Sequence, residues 1–341
     1  MKTLWYYVVK AVTRLGFTFY FNNVRLEGVA NIPKDKPLLL VANHQNALID
    51  PLLIGAYSPR VLHFLTRADV FNKPLIKMLL SSVNMMPIYR IRDGRSSLNK
   101  NQAIFDKCQT IFDKNGCVLI FPEGNHNIRR RIRPLSKGFT RIVSGSLEKN
   151  PDLNLYIQPI GINYSGHKRY RSKVSIYYGN PIKANDYVGA LNDNGDLLSL
   201  RDKVSDEMKL LTTHIDDLDN YDKIASNFEP QDFLYPEKVN TAIASDSFPT
   251  HGQTKGKKGT WLQHLVRANT LLPLFLWRRF KPGISEPEFI ATFKFVFAIL
   301  IVPVCYAIQA IIVAWLFGSY AAWTYLSVSI LLAFMLTKND H

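Results

Sequence analysis

His44 and Asp50 lie six positions apart in Asn43-His44-Gln45-Asn46-Ala47-Leu48-Ile49-Asp50-Pro51. An imidazole beside a carboxylate is a simple device for taking a proton from a hydroxyl, because the carboxylate fixes the tautomer and steadies the imidazolium. The apolar run Leu38-Leu39-Leu40-Val41 before the block reads as a buried strand. Leu52-Leu53-Ile54 after it reads as a helix whose start is marked by Asp50 and Pro51. A strand-to-helix turn presents side chains at the end of a sheet, where clefts form. A structural role competes, in which Asp50 caps the helix and His44 bonds a backbone group. Two later stretches favour chemistry.

Phe121-Pro122-Glu123-Gly124-Asn125-His126 closes the strand-like run Val118-Leu119-Ile120 and leads into Arg129, Arg130, Arg131 and Arg133, then Lys137-Gly138. Gly124 allows close backbone approach, and free amides near guanidiniums make an anion site. A solvated or membrane-facing patch accounts for some of the four arginines. Met86-Pro87-Ile88-Tyr89-Arg90-Ile91-Arg92 places Arg90 just past another strand, either as an ordinary surface arginine or as a grip for phosphate.

The elements that must position these residues alternate. Val24–Gly28, Leu38–Ala42, His63–Thr66, Met86–Tyr89, Cys117–Phe121, Leu155–Ile160 and Val174–Tyr178 read as strands. Pro51–Tyr57, Lys73–Ser81, Leu98–Lys114, Lys137–Lys149 and Asp196–Leu218 read as helices. The pattern predicts an α/β domain over residues 23–225, with a mostly parallel central sheet flanked by helices. Residues 1–22 predict an interfacial helix, since seven aromatics from Leu4 to Phe21 are interrupted by Lys10 and Arg14 one turn apart. No small-residue cleavage site follows, so no cleavable signal peptide is expected.

Residues 226–260 are rich in Pro, Gly, Ser, Thr and Asn and carry Lys255, Lys257 and Lys258. They predict a linker or surface excursion. Residues 261–288 mix Trp261, Leu265, Leu272, Phe275 and Trp277 with Arg267, Arg278, Arg279 and Lys281, as a second interfacial helix kinked at Pro273 would. Residues 289–338 predict a transmembrane hairpin. Phe295–Phe317 is uncharged over its whole length, and Tyr320–Leu336 repeats the pattern after a Gly318-Ser319 turn. Lys294 and Lys338 outside the pair, with Trp315 and Trp323 at the turn, predict that both ends are cytoplasmic.

The formal net charge of +15 calls for an anionic partner such as a membrane surface or a phosphorylated substrate. Nucleic acid would match the charge but leaves the His-Asp and Phe-Pro-Glu-Gly blocks without a purpose. Cys108, Cys117 and Cys305 have no metal-ligand spacing, and their sparse odd count suits reduced thiols on a cytosolic face. No metal site and no glycine-rich nucleotide loop is expected.

The three blocks, in this order, resemble the glycerolipid acyltransferases of the lysophosphatidate acyltransferase type. The likeness rests on Asn43-His44…Asp50, Arg90, Phe121 to Gly124 and Ile157-Gln158-Pro159-Ile160, and covers roughly residues 20 to 220. Gly161-Ile162-Asn163-Tyr164, the His167-Lys168-Arg169 turn and Tyr178-Gly179-Asn180-Pro181-Ile182 are similar to the fungal-type glycerol-3-phosphate/dihydroxyacetone-phosphate branch. Two departures stand out. Five residues rather than four separate His44 from Asp50, with Ile49 at the usual acid place, a spacing the fungal-type branch shares. Asn125-His126 replaces Thr-Arg, and Arg129 is expected to supply the charge.

The resemblance implies a membrane-bound acyltransferase whose catalytic domain lies on the cytoplasmic side. It would move an acyl group from a thioester to a hydroxyl of glycerol 3-phosphate or 1-acylglycerol 3-phosphate. His44 would be the general base and Asp50 its orienting acid; Arg90, Glu123, Gly124 and Arg129 would line the phosphate site. No cofactor is implied beyond acyl-CoA or acyl-carrier-protein as co-substrate, and no cysteine is needed. The alternatives are acylation of another lysolipid or an amino-acid lipid, or a non-catalytic, membrane-anchored phospholipid-binding protein.

Overall fold

A computed structural model describes residues 2–90, 99–187, 194–249 and 261–339. Its strands are β1 (Asn23–Glu27), β2 (Leu38–Ala42), β3 (Leu62–Arg67), β4 (Met85–Ile88), β5 (Cys117–Ile120), β6 (Tyr156–Tyr164), β7 (Lys173–Tyr178) and β8 (Ile182–Lys183). They form one sheet in the order β1-β7-β6-β2-β5-β3-β4, with β8 also on β6. All pairings are parallel except β6–β7 and β6–β8. This is the mostly parallel sheet expected, with one antiparallel seam.

Both faces are covered, which explains why β2 and β5 are continuous apolar runs rather than alternating ones. Leu38, Leu40 and Ala42 join one core with Phe17, Tyr20, Leu53 and Phe295, whereas Leu39 and Val41 join the opposite core with Phe112, Phe139 and Val204. The helices, numbered through the described residues, are α1 (Lys2–Tyr20), α2 (Ile49–Tyr57), α3 (Pro74–Ser82), α4 (Asn101–Phe112), α5 (Gly138–Lys149), α6 (Asn194–Leu211), α7 (Tyr221–Ser226), α8 (Pro236–Ala244), α9 (Trp261–Asn269), α10 (Leu271–Phe280), α11 (Phe289–Phe317) and α12 (Ser319–Lys338).

Several boundaries differ from expectation. The helix expected to reach Leu218 stops at Leu211. There the Asn163 side chain donates to Leu211 O (2.9 Å) and accepts from Thr213 N (2.9 Å), and Ile215 N then donates to Arg130 O (2.8 Å). Tertiary partners outbid the next helical turn. Residues 227–249, within the expected linker, carry α8 and a small core of Phe228, Phe233 and Val239. Ser175 and Tyr177 of β7 both donate to Leu234 O (2.8 and 2.9 Å), which fastens this segment to the sheet. Lys255, Lys257 and Lys258 lie outside the described residues.

The expected kink at Pro273 is a break at Thr270, between α9 and α10. Proline has no N–H to offer the carbonyl four residues earlier. That carbonyl, on Asn269, instead accepts from Gln309 Nε2 of α11 (3.2 Å). Tyr325 OH donates to Asn269 Oδ1 (2.7 Å), and Asn269 Nδ2 donates to Ser329 Oγ (3.0 Å). Polar groups on α9, α11 and α12 therefore satisfy one another.

At 29 and 20 residues, α11 and α12 are long and apolar enough to cross a membrane. Only 11% and 17% of their most apolar windows are buried, unlike the core helices of a soluble protein. In α1, Tyr6, Phe17 and Tyr20 face inward, while Leu4, Trp5, Val8, Val12 and Leu15 are exposed. Lys10 donates to Ser58 O at the end of α2, and Arg14, though exposed, lies over the Tyr57 ring (5.3 Å).

Candidate active site

Parallel register brings the three sequence blocks to one edge of the sheet. β2 runs parallel to β5, β5 to β3 and β3 to β4, so the residues following β2, β4 and β5 leave the sheet on the same side. His44 follows β2, Arg90 follows β4, and Phe121 to Gly124 follow β5.

The turn after β2 coils early. Asp50 N donates to Asn46 O (3.0 Å) and Leu52 N to Leu48 O (3.2 Å), so α2 begins at Ile49 rather than Pro51. This coil folds the Asp50 carboxylate back onto its own turn. Oδ2 accepts from His44 Nδ1 (2.8 Å), Gln45 N (2.7 Å) and Asn46 N (2.7 Å); Oδ1 accepts from Tyr164 OH (2.6 Å). Four donors hold this fully buried carboxylate as an anion acceptor. Asp50 is therefore no ordinary helix cap; it orients the imidazole.

With Nδ1–H committed to Asp50, the neutral ring carries its lone pair on Nε2. The ring stacks on Phe121 (4.2 Å between centroids, 22°) and meets His126 edge-on (5.6 Å), with its side chain still 14% exposed. Asn43 braces the turn from behind: its amide donates to Ile162 O (3.0 Å) and accepts from Ile162 N (2.7 Å) on β6.

The loop after β5 supplies the floor. Gly124 sits at φ +75°, and a Cβ there would meet nothing within 4 Å. The glycine is required by its backbone angle rather than by the close approach expected of it. Its carbonyl accepts from Arg90 Nη1 (3.2 Å), and Arg90 also faces Asp69 (3.7 Å). His44 and Arg90 are thus tied to neighbouring parts of one loop, since Asn127 N donates to His44 O (3.0 Å).

The four arginines part company. Arg129 places its guanidinium over Tyr221 (5.2 Å), while its carbonyl accepts from Gln45 Nε2 (3.4 Å). Arg130 is buried over Phe233 (3.8 Å), and burial pushes its pKa down to about 10. Arg131 pairs with Asp216 (2.9 Å). Arg133 donates through Nε to Glu123 (2.5 Å) and through its other nitrogens to Asn125.

Glu123 is turned inward rather than offered to a ligand. Burial raises its pKa, and Arg133 together with the His44 amide counters that rise. Truncating Arg133 would strand this carboxylate. Arg133→Ala is expected to cost about 3–5 kcal/mol at pH 7, the usual result of removing one partner of a buried pair. The loss should shrink under acid, where Glu123 takes up a proton; urea unfolding at two pH values checks this.

Four residues escaped sequence reasoning. Tyr164 was visible as a large residue in phase with Ile160 and Ile162, but nothing local says its hydroxyl meets Asp50. Arg133 was one of four arginines with no mark to single it out. His167 donates to Gln45 Oε1 (3.0 Å), and His126 Nε2 donates to Glu286 Oε2 (3.0 Å), across separations of 122 and 160 residues.

Burial, ahead of other causes, lowers the pKa of His63, His126, His167 and His214; for His167, Arg130 and Lys168 add to the fall. Between those lowered values and the unfolded value near 6.5, the folded chain binds fewer protons than the unfolded one. Their contribution is complete above about pH 6.5 and is lost as pH falls below it; Glu123, with its raised pKa, works in the opposite direction. The net expectation is a lower Tm at pH 5.5 than at pH 7.5, measured by thermal unfolding in one detergent.

Comparison with known proteins gives this edge of the sheet a context. Residues 23–163 match the acyltransferase family model. The chain is 38% identical over 69 residues to glycerol-3-phosphate O-acyltransferase 1 of Saccharomyces cerevisiae, covering 20% of this chain and 9% of that one. It is 20% identical to glycerol-3-phosphate O-acyltransferase 2 of the same yeast, covering 58% of this chain and 40% of that one. A chloroplastic 1-acyl-sn-glycerol-3-phosphate acyltransferase of Brassica napus is 30% identical over 120 residues, covering 35% of this chain and 33% of that one. The chain thus spans less than half the length of these curated relatives. The crystal structure of a 1-acyl-sn-glycerophosphate acyltransferase from Thermotoga maritima superposes with a TM-score of 0.43 at 21% identity, covering 58% of this chain and 77% of that one.

Proposed function

We propose that this chain, whose residues 23–163 form an acyltransferase-family domain, is a membrane-bound enzyme that acylates a phosphorylated glycerol. The donor is an acyl thioester, carried by coenzyme A or a carrier protein. The acceptor is the free hydroxyl of glycerol 3-phosphate or of its 1-acyl derivative, in keeping with the acceptors for which the yeast and plant relatives are named.

The observation that carries this reading is the His44–Asp50 pair, 2.8 Å apart, on the sheet edge that also bears Arg90 and Gly124. Nε2 takes the proton of the acceptor hydroxyl as that oxygen attacks the thioester carbonyl, and Asp50 steadies the imidazolium formed. The tetrahedral intermediate collapses, the C–S bond breaks, and the imidazolium returns its proton to the departing sulfur. Arg90 grips the acceptor phosphate and so holds the hydroxyl near the carbonyl, where positioning contributes much of the rate. The Arg129 guanidinium reaches the same phosphate only by leaving Tyr221.

Transfer is direct. Cys108 and Cys117 are buried, and burial pushes both thiols up to about 12, so neither offers a thiolate for an acyl-enzyme. The α11–α12 hairpin anchors the domain on the cytoplasmic face, with the exposed apolar side of α1 in the interface, where long acyl chains partition. Purified protein given a labelled acyl thioester should acylate glycerol 3-phosphate or lysophosphatidate when each is offered separately. Transfer to neither defeats the proposal.

A further inference from the structure

The membrane hairpin does more than hang from the catalytic domain. The first two turns of α11 are seated against the turn that carries His44 and Asp50. Thr292 Oγ1 accepts a hydrogen bond from Leu48 N (3.1 Å), and Thr292 is buried. Three amides of this turn are used within it: Gln45 N and Asn46 N go to Asp50 Oδ2, and Asp50 N goes to Asn46 O. Leu48 N reaches across to a different part of the chain, 244 residues away.

Neighbouring contacts fix the same seat. Phe295 stacks on Phe17 (4.5 Å), and Tyr20 OH donates to Ala291 O (3.3 Å). Lys294 Nζ donates to Lys168 O (2.7 Å), in the turn whose His167 holds Gln45. Phe289 meets His126 edge-on (5.1 Å), and His126 in turn meets His44. One helix therefore touches the His44–Asp50 turn at Leu48 and the loop after β5 at His126.

We propose that Thr292 is a positioning residue for acyl transfer: through the Leu48 amide, the first turns of the membrane helix hold the turn in which Asp50 aims His44. This rests on the function proposed above. A part-buried amide that loses its acceptor carries a desolvation cost, so the turn relaxes until Leu48 N finds another partner. The His44–Asp50 alignment depends on that same turn. A displacement of a fraction of an ångström at a general base is costly in rate but changes acceptor binding little, because the phosphate grip lies on other loops.

The test uses the full chain in phosphatidylcholine vesicles, with Thr292→Val, which keeps the shape, Thr292→Ala, which cannot crowd the site, and Thr292→Ser, which keeps the acceptor. Val and Ala should lower kcat about tenfold, equivalent to ~1.4 kcal/mol of barrier, with KM for the acceptor within about twofold. Ser should restore kcat. Hydrogen exchange at the Leu48 amide should quicken in Val and Ala but not in Ser, while Tm stays within a few degrees. Unchanged kcat with Leu48 still protected in Val and Ala overturns the inference, as does a loss confined to KM or a Ser variant as slow as Val. Absence of transfer by the unaltered protein overturns instead the functional reading beneath it.

Discussion

Replacing His44 with alanine should lower kcat for acyl transfer by roughly 10²- to 10⁴-fold, the span removed with a general base. The fold should survive. The side chain is partly exposed, and what its removal strands is one carboxylate that keeps three other donors, from Gln45 N, Asn46 N and Tyr164 OH. Phe121 loses a stacking partner, worth on the order of 1 kcal/mol. Association with vesicles should be unchanged, since the apolar surfaces of α1, α11 and α12 are untouched. A steady-state assay with both acceptors, paired with vesicle flotation, checks both parts. Unchanged turnover would remove His44 from the reaction, whereas no turnover by the unaltered protein would leave a membrane-anchored phospholipid-binding protein as the better description.

Asp50→Asn is expected to do comparable damage by a different route, lowering kcat roughly 10²- to 10⁴-fold while also weakening the fold. An amide offers one acceptor oxygen where the carboxylate offers two. In the native turn the oxygens of Asp50 accept from four donors, two of them backbone amides that cannot rearrange without unwinding the start of α2. If the Asn oxygen stays with Gln45 N and Asn46 N, its NH2 group faces Tyr164, which must then rotate its hydroxyl. If instead the NH2 group turns to His44, the imidazole is driven to the other tautomer and Nε2 no longer holds the lone pair needed to take a proton. Either outcome leaves a buried polar group poorly satisfied, at about 1–3 kcal/mol. Stopped assays and urea unfolding on the same preparation separate the two effects. A folded Asp50→Asn protein with full kcat would show that the carboxylate has no part in orienting His44.

Tyr164 and Thr292 form the outer ring of this arrangement. Tyr164→Phe removes one donor from Asp50 but leaves the His44 contact, whereas Thr292 acts on the turn from the far end of the chain. Arg133 and Glu123 shape the opposite wall. These four residues lie on β6, α11 and the loop after β5, so the site is assembled by long-range packing around a local His-Asp unit.

The His44–Asp50 unit was legible in the sequence because it is short: six positions across a strand-to-helix turn leave few ways for the two side chains to miss each other. The strands were legible for a related reason. A parallel strand buried on both faces must be apolar throughout, and Leu38 to Ala42 and Cys117 to Ile120 announce themselves without reference to any partner. The uncharged runs Phe295–Phe317 and Tyr320–Leu336 were legible from length and apolarity alone, though the first helix begins at Phe289 and takes in Lys294.

What sequence reasoning missed depended on partners distant in the chain. The last helix of the sheet domain ends at Leu211 because Asn163 and Arg130 claim the following backbone, and no residue near Leu211 records that competition. The arginine run could not be divided from its own letters. Only packing buries Arg130 on Phe233, commits Arg131 to Asp216 and binds Arg133 to Glu123, while Arg90 reaches Gly124 from another strand. Local spacing by itself determined the elements, the His44–Asp50 pair and the apolar hairpin, since each is governed by forces acting within a few residues. The tertiary structure decided which partner each arginine takes, which hydroxyl meets Asp50 and where the hairpin is seated. Those outcomes follow from burial and hydrogen-bond satisfaction between separate segments of the chain.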